Sequence, residues 1–455
     1  MMSLAKAAEV LNAPLTGADR RFSGVSTDTR TLAPGDLFVA LQGPNHDGHH
    51  FVAAAAQAGA AGVLLSRTTR TALPLIKVPD TLSALGTLAA AWRRRFDIPV
   101  IAITGSNGKT TVKEMTAEIM AETGRGCTTR GNLNNEIGVP LTLLRLDPAD
   151  RYAVIELGMN HRGEIEYLSR LSQPTIATIT NAAEAHLEGV GSVDDVARAK
   201  GEIFSSLANT GVAVINADDK YADFWRDLAS PRRCLTFGLD SDADITADYR
   251  ADATGSLVRI RTTYGDIDMR LPLLGKHNVS NALAAIASSI AAGAELDHVK
   301  RGLEKLQCIS GRLEIKPGLN GACVIDDTYN ANPASLTAGI EVLKEFPGDA
   351  VLVIGDMAEL GSAAPDIHRR VGQLARRFGI NRLFAIGALS KLAVDSFGEG
   401  GMHFSSRREL VEALLHHLNA DTTVLVKGSR VMRLEHVVQK ITQPDILDTR
   451  ETNAN

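Results

Sequence analysis

This chain has no basic excess, no cysteine pairing pattern and no long apolar run, and each absence removes a class of function. Its 48 Lys and Arg stand against 53 Asp and Glu, a formal net charge of −5, so it lacks the surplus cations that neutralise a nucleic-acid backbone. Arginine clusters such as Arg93-Arg94-Arg95 and Arg369-Arg370 fall on helical patterns and read as solvated faces. Cys127, Cys234, Cys308 and Cys323 lie far apart with no Cys-x-x-Cys pair; that excludes a disulfide framework or zinc site and predicts small buried thiols in a reducing compartment. No stretch approaches the ~18–20 consecutive apolar residues of a membrane span. The first ten residues carry Lys6 and Glu9 where a secretory signal needs an apolar core. A cytoplasmic enzyme with no membrane insertion and no nucleic-acid partner is expected.

What is present centres on Pro99 to Thr111. The apolar run Val100-Ile101-Ala102-Ile103 enters Thr104-Gly105-Ser106-Asn107-Gly108-Lys109-Thr110-Thr111, and a helical pattern begins at once and runs towards Gly124. Glycines let backbone N–H groups approach a polyphosphate, the helix N-terminus favours negative charge, a lysine bridges phosphates and a hydroxyl can hold Mg2+. The usual spacing needs glycine where this chain has Ile103, so the loop is a short variant, and ATP is the expected anion.

In chain order, a first section to about residue 80 carries small polar residues, Ser26-Thr27-Asp28 and Arg30, and the hydrogen-bonding stretches Gln42-Gly43 and Asp47-Gly48-His49. These groups suit a nucleotide or other anion, and they suit ordinary turns equally well. A helix from Thr81 to Phe96 leads into the central strand. Beyond the phosphate loop, Asn134 and Asn135 sit in a polar loop, and Tyr152 to Met159 reads as a buried strand carrying Glu156. At the carboxyl end of a parallel strand that glutamate can meet a nucleotide's Mg2+ or simply face water. His186, after the strand Thr175 to Thr180, reads as a structural histidine or a ligand. Lys200, with Ile203 and Phe204 three and four places on, reads on its own as a solvated lysine.

Alternating segments near Ile245 to Leu273 predict a small antiparallel addition to the sheet. Asn278 and Asn281, three apart in a first helical turn after His277, could read a base edge or cap the helix. From Gly311-Arg312 onward, strands and helices alternate (strands near 323, 351, 382 and 423; helices 366 to 378 and 407 to 418), which predicts a doubly wound sheet. Its glycines do not form the dinucleotide fingerprint. Residues after about 443 read as a polar tail.

The loop from Thr104 to Thr111, Glu156, Asn181 with His186, Lys200, His277-Asn278 with Asn281, Arg312 and the Asp327 segment together resemble the Mur ligase family of peptidoglycan precursor synthesis, over almost the entire chain. Asp326 to Pro333, Gly355-Asp356-Met357 with Glu359-Leu360-Gly361, Gly131 to Asn135, and Lys427 to Arg430 resemble the member that adds D-alanyl-D-alanine. The Asp-Asn-Pro-Arg signature of the diaminopimelate-adding relative is absent.

The resemblance implies three α/β domains: a small UDP-sugar-binding domain over 1–80, a central P-loop mononucleotide-binding domain with a mostly parallel sheet over 81–310, and a Rossmann-like doubly wound domain over 311–455. It implies an ATP-dependent amide ligase joining D-alanyl-D-alanine to UDP-N-acetylmuramoyl tripeptide through an acyl phosphate, working as a monomer. Lys109 and the loop amides would bind the phosphates, Thr110 and Glu156 one Mg2+, and His186 a second. Lys200 would be carbamylated by CO2 into an anionic metal ligand. Asn278 and Asn281 would approach the adenine, with Arg312 and Asp327 reaching the nucleotide from the third domain. Ser26, Thr27, Asp28, Arg30, Gln42, Gly43, Asp47, Gly48 and His49 would form the UDP-sugar site. Asn134, Asn135, Tyr329, Asn330, Asn332, Lys427, Ser429 and Arg430 would face the acceptor and dipeptide. The rival readings are another amide ligase of the same architecture, adding an amino acid to a different UDP-muramoyl peptide or glutamate to a folate, and a nucleotide-cycling regulator.

Overall fold

The computed structural model describes residues 1–67 and 69–443, so the tail expected after 443 lies outside the described residues. Three mostly parallel sheets follow one another along the chain, of five, nine and six strands, and make a three-domain α/β protein. The first joins Leu15–Thr16, Val25–Ser26, Leu37–Val39, Gly62–Leu65 and Leu75–Lys77, parallel except for the pairing of Leu15–Thr16.

In the second sheet, Val100–Thr104 lies between Ala153–Glu156 and Ile176–Ile179. After Val100–Thr104 the chain builds Cys127–Thr128 and Ala153–Glu156 to one side, then Ile176–Ile179 and Val212–Asn216 to the other. The carboxyl end of Val100–Thr104 is therefore the switch point, where open parallel sheets bind ligands. All five of its residues are buried, as a strand covered by helices on both faces requires. The expected antiparallel addition is present as Ile245–Asp252, Gly255–Thr262 and Gly265–Leu271. Alanines let the helix Lys276–Ala291 lie close over the sheet, with Ala282, Ala284, Ala285 and Ala287 all buried.

In the third sheet, Thr422–Lys427 lies between Cys323–Asp327 and Asp349–Gly355. Asp327 and Lys427 end neighbouring strands in register, so the turns that follow point the same way. A helix, Ser390–Phe397, and an edge strand, Gly401–Phe404, extend this sheet beyond the sequence expectation. Four residues of weak apolar pattern between a glycine-rich turn and a serine pair carry little periodicity to read.

Two expectations need correction. Arg93 is buried, not solvated: it donates to the carbonyl oxygens of Ser172 (3.0 Å), Phe96 (2.6 Å) and Gln173 (3.3 Å), tying its helix to the far end of another. Of the cysteines only Cys127 is fully buried, while Cys308 is exposed, because its segment runs over the surface between modules. Arg93→Ala would leave buried carbonyls without donors, and urea denaturation should show a loss of about 3 kcal/mol.

Candidate active site

The phosphate loop is held open by its neighbours. Gly105 has φ +151°, and a Cβ there would lie 1.8 Å from Thr180 Oγ1; at Gly108, φ +80°, it would lie 2.2 Å from Asn281 Oδ1. Both positions exclude any side chain. The strand end Thr180-Asn181 fixes the loop crest: Thr180 Oγ1 donates to the Asn107 carbonyl (2.6 Å), the Asn181 carbonyl accepts from Ser106 N–H (2.9 Å), and Asn181 Oδ1 accepts from Asn107 N–H (2.9 Å). Lys109, first residue of the helix Lys109–Ala121, folds back to donate to the carbonyls of Gly105 (2.6 Å) and Ser106 (3.2 Å). Burial lowers its pKa, Glu156 opposes that shift, and Arg312 adds to it.

Around the loop lies a cleft of about 910 Å3 lined from both the second and third sheets. Glu156, in register with Ile103 on the next strand, is buried. Its Oε1 accepts from Asn134 Nδ2 at 2.7 Å, and its Oε2 has no hydrogen-bond partner. Lys200 is fully buried with an unpartnered Nζ, which overturns the solvated reading: the helix Val193–Gly201, packed on the helix Glu164–Ser172, turns it inward. Burial holds its pKa well below the ordinary lysine range; Lys109 adds to this, while Glu202, Glu156 and Glu164 oppose it. His186, at φ +57°, places Nδ1 2.6 Å from Glu359 Oε2, an ion-pair distance off hydrogen-bond alignment. Burial lowers its pKa against the pull of Glu359.

The third module closes the cleft. Arg312 donates to Thr110 Oγ1 at 2.9 Å and lies over the Tyr329 ring, 4.2 Å from its centroid. Asn332 Nδ2 donates to Asn107 Oδ1 at 2.7 Å. Lys427 Nζ bridges Asp327 Oδ2 (2.7 Å) and the Asn330 carbonyl (2.9 Å). His277 is half-buried facing Lys427, and desolvation brings its pKa to about 4, with the lysine adding to the shift. Asn278 and Asn281 serve neither as caps nor as free amides: Asn278 Nδ2 donates to the Leu274 carbonyl and Asn281 Nδ2 to Asn278 Oδ1. Ser429 Oγ accepts from Ala358 N–H (2.8 Å), Asn135 Oδ1 accepts from Gly138 N–H (2.9 Å), and Arg430 is exposed at the lip.

The residues from Ser26 to His49 do not line this cleft. They gather at the carboxyl ends of two neighbouring parallel strands of the first sheet, with Ser66, after the third, against His49. Arg30 holds the Asp28 carboxyl down at about 2 by side-chain hydrogen bonding, and Ser26 Oγ donates to the Asp28 carbonyl. Gln42 bridges to Asp47, and Gly43 N–H donates to the His46 carbonyl. Gly48 packs where a Cβ would lie 2.8 Å from Ala40 Cα. His49 is internally satisfied: Ser66 N–H donates to Nε2, so Nδ1 carries the proton that Asp47 accepts at 2.7 Å. Thr27 stands in the same turn. Sequence reasoning gave no role to Glu359, whose partner lies 173 positions away by number (359 against 186); its only signal was the motif Glu359-Leu360-Gly361 after a strand.

Among the described residues no three His, Cys, Asp or Glu side chains converge as a ready metal-binding group, and no helix is long and apolar enough to cross a membrane. The cleft can neutralise a polyphosphate from one wall and reach it from the other.

Comparison with known proteins assigns this architecture. Residues 21–93 match the Mur ligase family catalytic domain, 103–289 the Mur ligase middle domain, and 311–430 the Mur ligase glutamate ligase domain. The chain belongs to the Mur ligase family. Within it, the chain is 44% identical to the UDP-N-acetylmuramoyl-tripeptide--D-alanyl-D-alanine ligase of Escherichia coli K12, over 97% of this chain and 98% of that protein. It is 40% identical to the ligase of the same name from Haemophilus influenzae, with the same coverage. MurF from Acinetobacter baumannii superposes with a TM-score of 0.92 at 33% identity, covering 97% and 99% of the two chains. MurF ligase from Thermotoga maritima, solved with ADP, gives 0.81 at 25% identity, covering 92% and 96%.

An unpaired buried ammonium is costly. In buffer stripped of dissolved CO2, which reacts with neutral amines, Lys200→Met should raise stability by about 1–3 kcal/mol. The folded pKa of Lys200 lies below the unfolded value of about 10.4. Under the folded pKa both states are charged and the cost is full; between the two values the folded amine sheds its proton first, so wild-type stability recovers as pH rises. Melting curves of both proteins against pH should therefore converge towards the alkaline limit.

Proposed function

We propose that this chain is an ATP-dependent amide ligase that joins D-alanyl-D-alanine to UDP-N-acetylmuramoyl tripeptide, acting as a cytoplasmic monomer in building the peptidoglycan precursor. One observation carries the reading: a phosphate loop, a half-satisfied buried carboxylate and a second module's arginine meet in one cleft completed within a single chain. The relatives' names supply the substrates, and the Thermotoga maritima structure with ADP supplies the nucleotide.

The units of the reading are 1–80 for the UDP-sugar, 81–310 for ATP and 311–455 for closure and the dipeptide. Two negative reactants, a carboxylate and a triphosphate, must be brought together, so the site must neutralise and align them. Lys109 and the amides from Gly105 to Thr111 take the phosphates. Arg312 reaches the same region from the third module, where Asp327 with Lys427 fixes the facing turn. A tripeptide carboxylate oxygen attacks the γ-phosphorus and ADP leaves with the bond's electron pair. The dipeptide amine then attacks the acyl carbon and expels inorganic phosphate.

Mg2+ fits the residues present: Glu156 Oε2 is a buried oxygen without a partner, Thr110 offers a hydroxyl, and His186 offers a ring nitrogen. When bound, Mg2+ would stabilise the charge of the phosphoryl oxygens. As an ammonium, Lys200 does not fit a cation site. As a carbamate it does, and a buried amine with a lowered pKa is the form that reacts with CO2. Thr110 with Glu156 would hold one Mg2+, and His186 with carbamylated Lys200 would hold a second.

Mass spectrometry should find product heavier by the dehydrated dipeptide from MgATP, D-alanyl-D-alanine and the tripeptide ending in diaminopimelate or in lysine. Phosphate release only with another acceptor would overturn the substrate. Glu156→Gln should lower kcat on the order of a hundredfold. Lys200→Ala should be inactive and partly rescued by acetate; full activity of that variant would refute the carbamate.

A further inference from the structure

The turn from Gly355 to Gly361 is fixed from several directions. The Asp356 carboxylate accepts from Ser390 N–H (2.7 Å), the Ser390 hydroxyl (2.6 Å) and Leu389 N–H (3.1 Å). His368, fully buried, accepts from Met357 N–H at Nε2 (3.1 Å) and donates from Nδ1 to the Ala364 carbonyl (2.7 Å). Ser429 Oγ holds Ala358 N–H, and the Glu359 carbonyl accepts from Glu188 N–H across the cleft (3.2 Å). Glu359 is thereby kept at φ +63°, a conformation that costs a non-glycine residue on the order of 1 kcal/mol and persists only when its surroundings enforce it.

The backbone is thus pinned while the side chain is left available. Glu359 lines the cleft with its side chain 51% exposed, and its close partner, His186, also has positive φ. On the same lip Val431 is 75% exposed, a bare apolar side chain facing the cleft. Neither residue suits the nucleotide half of the reaction, because the triphosphate and the tripeptide carboxylate are both anionic and Glu359 would repel them. The remaining reactant is cationic at its reacting end and carries small alkyl side chains.

Resting on the ligase reading above, we propose that Glu359 is the specificity-determining residue that receives the ammonium of the incoming amine and holds it beside the phosphate loop. The ammonium takes the place of His186 at the carboxylate. The pinned turn sets the angle from which the nitrogen approaches, and Val431 offers an apolar surface to the adjoining methyl groups.

The test compares the KM for D-alanyl-D-alanine with the inhibition constant of D-lactyl-D-alanine as a competitor, in which a hydroxyl replaces the ammonium, in wild type, Glu359→Gln and Glu359→Asp, so that the weaker nucleophilicity of the hydroxyl does not enter the preference. Wild type should favour the ammonium form by about tenfold or more. Glu359→Gln should raise the KM for the dipeptide by about tenfold and shrink that preference to within about twofold, leaving the KM for ATP within about twofold, and Glu359→Asp should recover part of the preference. Persistence of the preference in Glu359→Gln, or a change confined to the KM for ATP, overturns the assignment and makes Glu359 an interdomain contact only. Failure of the wild type to use the dipeptide at all overturns the ligase substrate on which the assignment rests.

Discussion

An ammonium held against its own loop, Lys109 Nζ on the carbonyls of Gly105 and Ser106, is the contact on which the cleft depends. A cation in a partly dry site must be neutralised by something, and the nearest carboxylate, Glu156, is committed on one oxygen to Asn134. At the loop itself Lys109 therefore meets only carbonyl oxygens at hydrogen-bond distance, and Arg312 brings a second cation to Thr110 from the other wall. A polyanion bound there would give both cations a partner. The rest of the architecture, two sheets turning strand ends towards each other, keeps those cations close.

Local pattern made much of this legible. The phosphate loop is contiguous, and the strand before it and helix after it are read from periodicity within a few residues. Glu156 was legible as well, because a buried strand announces its own carboxyl end. The order of alternating strands and helices gave the third sheet, though not its short edge strand Gly401–Phe404, which has too few residues to show a period.

What stayed hidden depends on partners distant in sequence. Lys200 lies on a helix whose local pattern leaves it facing either way; only the tertiary neighbours packed against it, the helix Glu164–Ser172 among them, make it buried. Arg93 looks like one of three surface arginines until the carbonyls of Ser172 and Gln173 arrive from another helix end. Asn278 and Asn281 have the residue type expected of base-reading groups, yet they are engaged with Leu274 and with each other and wall in Gly108. In each case residue type suggested the chemistry and tertiary neighbours decided it.

The seam between the second and third modules is uneven. At the cleft its contacts are polar: Arg312 with Thr110, Asn332 with Asn107, and the exposed pair Arg370 with Glu184. Beside them Leu274 is buried among the apolar side chains of the third module, and Gly275 sits so close to Val342 that a Cβ would lie 2.7 Å from its methyl. Polar contacts exchange with water at small net cost, whereas pulling out a buried leucine exposes apolar surface. Parting the polar contacts would wet surfaces already suited to water, whereas parting Leu274 from its neighbours would bare an adhesive apolar face, so the two kinds of contact resist separation unequally.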